Sequence, residues 1–215
     1  MTTNNKIELM APAGNFESLQ AALDNGCDSV YFGVEQLNMR ARASVNFTMD
    51  DLAEIAKRCE AKNVRSYLTL NTIIYDHDLS VVKTLINKAK EANITAVIAS
   101  DQAVIAMARS VGMEVHISTQ LNVTNIETIK FYSLFADTMV LSRELSLRQV
   151  KKITEQIEKE QIKGPNGNLV EIEIFGHGAL CMAVSGKCYL SLHSHNSSAN
   201  RGACKQNCRK KYTVI

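Results

Sequence analysis

Apolar positions along this chain follow two alternating rhythms. Short apolar or period-two runs predict strands at residues 7–10, 29–32, 64–70, 95–99, 114–117, 137–141 and 170–175. Between them run stretches with apolar residues at helical spacing. Asn15 is placed to cap a helix carrying Phe16, Leu19 and Leu23 on one face. Thr48 and Asp51 make a capping-box pair ahead of Leu52, Ile55 and Cys59. A helix from about Asp78 aligns Leu79, Val82, Ile86 and Ala89. Residues 101–110 and 122–135 are helical by the same spacing. Ser146 and Gln149 form a capping box for Leu147, Val150, Ile153 and Ile157. Gly164-Pro165-Asn166-Gly167 is a turn.

Strict alternation of strand and helix implies right-handed βαβ units and a parallel sheet. The fold expected is α/β, a TIM-type (β/α) parallel barrel. It is incomplete, with seven strands visible and no eighth. A doubly wound sheet fits less well, because no Gly-rich phosphate fingerprint follows the first strand. Polar residues instead recur at the strand ends: Gly33, Asn71, Ser100-Asp101, Ser118-Thr119-Gln120, Ser142-Arg143-Glu144 and Gly176-His177-Gly178. Any one of these fits an ordinary turn. Together they mark the C-terminal face, where parallel barrels build their sites. Two bare sheet edges would recruit another chain or be covered, so a homodimer, a partner subunit or a tail folded over the gap is expected.

Composition narrows the class. The chain has 215 residues, 46% hydrophobic and 21% charged, enough for one sizeable core. No apolar run approaches about 18 residues, which excludes a transmembrane helix and predicts no membrane partner. The polar residues 1–6 are followed by no signal-peptide core, so a cytoplasmic location is expected. In that compartment six cysteines read as thiols or metal ligands rather than disulfides.

Charge is unevenly spread. All 22 acidic residues precede Ile174, where they meet 18 basic ones, a balance of −4. The last 42 residues carry six basic side chains and no acid, a balance of +6. That segment is the candidate anion-binding patch.

The same segment holds the candidate chemistry. The domain division expected is a barrel-like unit over 1–175 and a cysteine-rich metal-binding segment over 176–215, packed on the strand C-terminal face. Cys181, Cys188, Cys204 and Cys208 are the candidate metal ligands. Four thiolates bind zinc or an iron–sulfur cluster. The Cys204-x₃-Cys208 spacing suits zinc, whereas Cys181-x₆-Cys188 suits neither, so spacing leaves the metal open. His193 and His195 could replace a thiol at zinc. Cys59 lies on an apolar helix face and Cys27 precedes a strand, so both read as core. Arg143, Glu144 and His177 are candidate catalytic residues at strand ends. Arg40, Arg42, Asn71, Gln120 and Arg201 are candidate substrate contacts, the arginines for an anionic group. No His-Glu-x-x-His and no Gly-x-Ser-x-Gly is present.

Glu173-Ile-Phe-Gly-His-Gly-Ala-Leu-Cys181-Met-Ala-Val-Ser-Gly186-Lys-Cys188-Tyr-Leu-Ser191 resembles the signature of peptidase family U32, collagenase-like proteins of unassigned catalytic type. Asn200-Arg-Gly-Ala-Cys204-Lys-Gln-Asn-Cys208-Arg209 resembles the segment that follows it there. Met10-Ala-Pro-Ala-Gly14, Tyr31-Phe-Gly33, Ser118-Thr-Gln120 and Ser142-Arg-Glu144 are similar to its strand-end motifs. The resemblance implies a TIM-like barrel. It also implies a role like that of members serving hydroxylation of tRNA uridine, rRNA cytidine or a ubiquinone precursor. By the same resemblance the four cysteines would hold a 4Fe-4S cluster, and prephenate is a candidate small anionic co-substrate. Members usually continue past this length with a further barrel strand. The function expected is an iron–sulfur protein supporting hydroxylation of a pyrimidine base in tRNA or rRNA. The alternatives are a collagenase-like peptidase and a non-catalytic, zinc-stabilised RNA-binding module.

Overall fold

The computed structural model describes residues 7–34, 37–39 and 47–212. Seven strands form one sheet in chain order: β1 (Met10–Ala13), β2 (Ser29–Phe32), β3 (Arg65–Leu70), β4 (Ala96–Ala99), β5 (Glu114–Ile117), β6 (Thr138–Val140) and β7 (Glu171–Glu173). Every pairing is parallel. Helices fill the crossovers: α1 (Phe16–Asp24), α2 (Leu52–Glu60), α3 (Leu79–Glu91), α4 (Gln102–Ser110), α5 (Ile126–Tyr132) and α6 (Leu147–Glu160). The sheet curls into a TIM-like half-barrel, as the strand–helix alternation requires.

Helix starts follow side-chain chemistry. Asn15 accepts the Ser18 N–H at 2.8 Å, and Ser18 returns the bond to the Asn15 backbone. Thr48 with Asp51 and Ser146 with Gln149 close the two expected capping boxes. Asp101 accepts from Ala103 N at 2.8 Å and Asn125 from Thr128 N at 3.0 Å. Caps alone do not hold these elements, because isolated helices under about 12–15 residues are marginal in water. Packing holds them.

Strand side chains divide by parity. Val30, Phe32, Leu68, Leu70, Val97, Val115, Ile117 and Met139 join the buried faces of the helices in the main core. The opposite face carries a smaller cluster of Tyr67, Ala96 and Ile98, packed by Met10 and Tyr31. Burying each large apolar side chain contributes about 1.5–3 kcal/mol, so the first layer dominates.

The concave face also carries charge. Arg65 donates to Glu114 at 2.8 Å and to Glu8 at 3.2 Å, and the Tyr67 hydroxyl donates to Glu8 at 2.7 Å. His116 stacks on Tyr67 at 4.5 Å, with Nε2 3.0 Å from Glu114 and Nδ1 4.0 Å from Glu173. Burial pushes Glu114 up, but the His116 hydrogen bond and the Arg65 charge outweigh it and hold the carboxyl below its usual range. Glu173 has no such hydrogen bond, and burial leaves its carboxyl raised.

Three elements depart from the sequence reading. The first strand is Met10–Ala13, not 7–10, and Ile7 is 89% exposed. Pro12 therefore lies within the strand. As an end strand, β1 leaves one side of its backbone unpaired, which admits a residue lacking an N–H. The stretch 122–135 is helical only over Ile126–Tyr132. Asn122 takes a left-handed conformation (φ 55°), and Val123 pairs with Leu141 before Asn125 caps the helix. Leu147 is 75% exposed, outside the stripe that buries Ile153 and Ile157. Among the described residues no helix is long and apolar enough to cross a membrane.

Cys59 is 1% exposed on α2, and burial pushes its thiol up to about 11. We expect Cys59→Ser to lower stability by about 1–3 kcal/mol, through a hydroxyl buried without a guaranteed partner. Urea denaturation checks this. An unchanged midpoint would mean that this position accepts a polar group freely.

Candidate metal and substrate site

Parallel strands deliver their C-terminal loops to one rim, and the chain after β7 is fastened across it. Three of those loops supply the anchors. After β5, residues Thr119–Leu121 form a 3-10 turn ending at Asn122. Asn122 Oδ1 accepts the Ser142 hydroxyl at 3.0 Å, from the loop after β6, and the Ser185 hydroxyl at 2.7 Å. Asparagine suits this position, because it tolerates left-handed backbone and offers a side-chain acceptor. Ser185 and Gly186 are both left-handed (φ 48° and 75°), which turns the chain sharply against Gln120 and Met39.

Arginines complete the attachment. Arg143 donates to the carbonyls of Cys181 (3.3 Å) and Ala183 (3.2 Å). Arg201 donates to the Ile73 carbonyl at 2.8 Å, pairs with Asp78 and lies 4.7 Å from the Tyr75 ring centroid. Ile73 N donates to the Asn200 carbonyl at 3.1 Å. Arg209 donates to the Leu180 carbonyl at 3.0 Å. Arg143 and Arg201 thus hold the segment in place, a task that their expected roles as catalytic and substrate residues did not include.

Glu144 is exposed at the rim. The Ser142 hydroxyl, then the N–H groups of Glu144 and Ser185, hold its carboxyl below the usual range, so it is ionised at neutral pH. Asn71 Oδ1 accepts Met39 N at 3.1 Å, and Gln120 meets the Ser118 hydroxyl. His177 is exposed between Gly176 and Gly178 after β7. Arg40 and Arg42 lie outside the described residues. Three buried polar atoms of the rim loops, Thr72 Oγ1, Thr119 Oγ1 and Arg143 Nε, have no hydrogen-bond partner among the described residues.

All six cysteines are free thiols: Cys27 and Cys59 are buried, Cys188 is half-buried, and Cys181, Cys204 and Cys208 are exposed. Backbone N–H groups point at two sulfurs, Leu190 N to Cys188 at 3.4 Å and Gln206 N to Cys204 at 3.3 Å. Such bonds stabilise thiolate and are the outer-shell contacts of sulfur-ligated metals. The donor set is sulfur with neighbouring imidazoles and no carboxylate, which suits a soft metal or an iron–sulfur cluster. Among the described residues no three His, Cys, Asp or Glu side chains stand close enough together to hold a metal ion. Drawing four thiolates to one point is work that bound metal itself does.

The loop around the thiols has little apolar content, and polar bonds shape it instead. Cys188 N donates to Asn200 Oδ1 at 3.0 Å, Lys205 N to Ser191 Oγ at 2.9 Å, and Ser197 Oγ to the Ala203 carbonyl at 2.7 Å. They bracket a six-residue helix, α7 (Leu190–His195). The anchors Asn122, Asp78, Ser185 and Asn200 went unnoticed in the sequence. Only Asn122 carried a signal, as an asparagine at a chain reversal.

The model of Peptidase family U32 matches residues 14–215. A protein of Porphyromonas gingivalis named collagenase is 59% identical over 210 residues, 98% of this chain and 51% of that protein. The tRNA hydroxylation protein P of Helicobacter pylori is 35% identical over 211 residues, 97% of this chain and 48% of that protein. A 23S rRNA 5-hydroxycytidine synthase of Escherichia coli is 33% identical over 213 residues, 99% of this chain and 30% of that protein. The chain spans about half the length of the first of these relatives. Among solved structures, a U32 peptidase superposes with a TM-score of 0.59 at 13% identity, covering 81% of this chain and 69% of that one. The tryptophan synthase α subunit of Legionella pneumophila gives 0.53 at 18% identity, covering 80% and 74%. These likenesses show the fold.

The pair between Arg201 and Asp78 yields a test of the attachment. The Arg201 hydrogen bond holds the Asp78 carboxyl below its usual range, with burial opposing and the Tyr75 N–H assisting. A carboxyl depressed in the folded state stabilises fully above its unfolded pKa of about 3.9. That contribution is lost as pH falls through the lower, folded value. We expect Asp78→Ala to lower amide-exchange protection at Ile73 and Arg201 about tenfold at pH 7, the counterpart of roughly 1.4 kcal/mol. The native protein should lose the same protection only below about pH 4. Equal protection in both proteins at pH 7 would show that the pair does not hold the segment.

Proposed function

This chain belongs to peptidase family U32, and from that premise we propose that it is an iron–sulfur protein supporting hydroxylation of a pyrimidine base in tRNA or rRNA. One observation carries the reading. Cys181, Cys188, Cys204 and Cys208 lie in an acid-free, basic segment fastened over the barrel rim, with backbone N–H groups directed at Cys188 and Cys204. The names of the Helicobacter pylori and Escherichia coli relatives supply the RNA substrate class.

The four thiolates would hold the cluster. When bound, it supplies one-electron redox chemistry at the rim. The protein's own residues do the remaining work. Lys187, Arg201 and Arg209 place positive charge in the same segment, which suits an anionic cluster. Arg143 fixes the carbonyls on either side of Met182, which sets the approach of Cys181. Glu144, held ionised, is the rim's proton acceptor. Arg40 and Arg42 are the candidates for a small anionic co-substrate such as prephenate. Zinc on the same four thiols, in a non-catalytic RNA-binding module, is the alternative occupant.

A second reading comes from the collagenase name of the 59% identical relative. One set of measurements decides among them. Anaerobically purified protein should contain about four irons and four sulfides per chain. Cys204→Ser should lose both, and cells relying on it should lose the hydroxylated pyrimidine in nucleoside mass spectrometry. Cys59→Ser should keep metal and modification while losing stability. Stoichiometric zinc without sulfide would remove the cluster. Gelatin hydrolysis that persists in Cys204→Ser, with RNA modification unaffected, would favour the peptidase.

A further inference from the structure

The thiol segment displays side chains that neither metal binding nor attachment uses. Tyr189 directly follows Cys188, and Tyr212 lies four residues beyond Cys208. Each is 70% exposed. Leaving a large ring in water forgoes about 1.5–3 kcal/mol of burial. Neither ring sits on a loose chain. The Tyr212 hydroxyl donates to the Asn207 carbonyl at 2.7 Å, and Asn207 is buried and bonded to Ser194. The Tyr189 carbonyl accepts His193 N at 2.9 Å, which fixes its backbone at the start of α7. Both rings are therefore presented from ordered backbone near the cysteines in sequence.

Cations surround them. Lys187, Lys205, Lys210 and Lys211 are exposed, and residues 174–215 contain no carboxylate to neutralise them. Exposed aromatic faces among cations match the chemistry of an unpaired nucleic acid strand: bases stack on the rings and phosphates meet the ammonium groups. A duplex offers its phosphates but keeps its base faces inside the stack. A membrane surface is served by an amphipathic helix with a continuous apolar face. The helix here is six residues long and includes Ser191, His193, Ser194 and His195.

We propose that Tyr189 and Tyr212 form a base-stacking platform flanking the thiols, and that the surrounding lysines bind the phosphates of a single-stranded RNA segment. The proposal rests on the RNA reading above for the identity of the polyanion. It goes further in naming the strand state and the residues that recognise it.

Fluorescence anisotropy on the full-length protein tests it, with a labelled ten-nucleotide oligouridine, a ten-base-pair RNA duplex and phosphatidylserine vesicles as probes. Tyr189→Ala and Tyr212→Ala should each weaken single-strand binding about tenfold and leave duplex binding unchanged. Tyr189→Phe should bind like the native protein. Lys210→Gln should flatten the salt dependence of single-strand binding by a slope of about 0.7, which the tyrosine variants should not do. Native-like single-strand binding by both alanine variants would overturn the platform. So would equal losses on single strand and duplex, or binding to vesicles but not to RNA. Iron content and RNA modification are read on the same proteins. Single-strand binding that does not depend on either tyrosine, with iron and modification both intact, refutes this proposal alone. Absence of iron with tyrosine-dependent RNA binding intact refutes the cluster alone.

Discussion

Parallel strands share a direction, and from that constraint the arrangement of this molecule follows. All seven strands end at the same rim, so the loops after β3, β5 and β6 lie within reach of one crossing segment. The chain after β7 could not shape itself. Its one α-helix is six residues long, and hydrogen bonds take the place of a core. Its form is borrowed from the rim. Asn122 holds Ser185, Arg143 holds two carbonyls, and Asp78 holds Arg201.

Charge is handled oppositely in the two parts. On the concave face of the sheet, Arg65 sits between Glu8 and Glu114, and His116 lies against Glu114. Removing ions from water costs several kcal/mol each, so these groups persist only because each has a partner at hydrogen-bond distance. The rim segment leaves its lysines in water without acids beside them. Paired charge inside the sheet is spent on the fold. Unpaired charge at the rim remains available for an anion.

Much of the scaffold could be read from the chain. The strands Ser29–Phe32 and Glu114–Ile117 were placed to the residue, because short apolar runs there end at Gly33 and Ser118. Two capping boxes and the Asn15 cap were read from side-chain types alone. Errors arose where tertiary pairing overrode local pattern, as where Val123 joins Leu141 instead of starting a helix. The charged concave face had a signal that was passed over. Arg65 and Tyr67, Glu114 and His116, and Glu171 and Glu173 sit at alternate positions of their strands, which puts each pair on one face. The roles of Arg143 and Arg201 could not be read, since their partners include backbone carbonyls of Cys181, Ala183 and Ile73 that no residue type betrays. The cysteine spacing named no metal, because Cys204-x₃-Cys208 suits zinc while Cys181-x₆-Cys188 suits neither zinc nor a ferredoxin-type cluster.

Each strand pairs with the next one in the chain, so the sheet can grow in the order in which the polypeptide emerges from the ribosome. The thiol segment is different. Arg201 finds Asp78 across 123 residues of sequence. That contact has no meaning until β3 and its following loop are in place. The cysteine-rich segment is therefore fastened last, on a finished scaffold. A chain in which that loop has not formed leaves the segment of Cys181, Cys188, Cys204 and Cys208 without its Asp78 anchor, so the order of folding governs when these thiols are fastened to the rim.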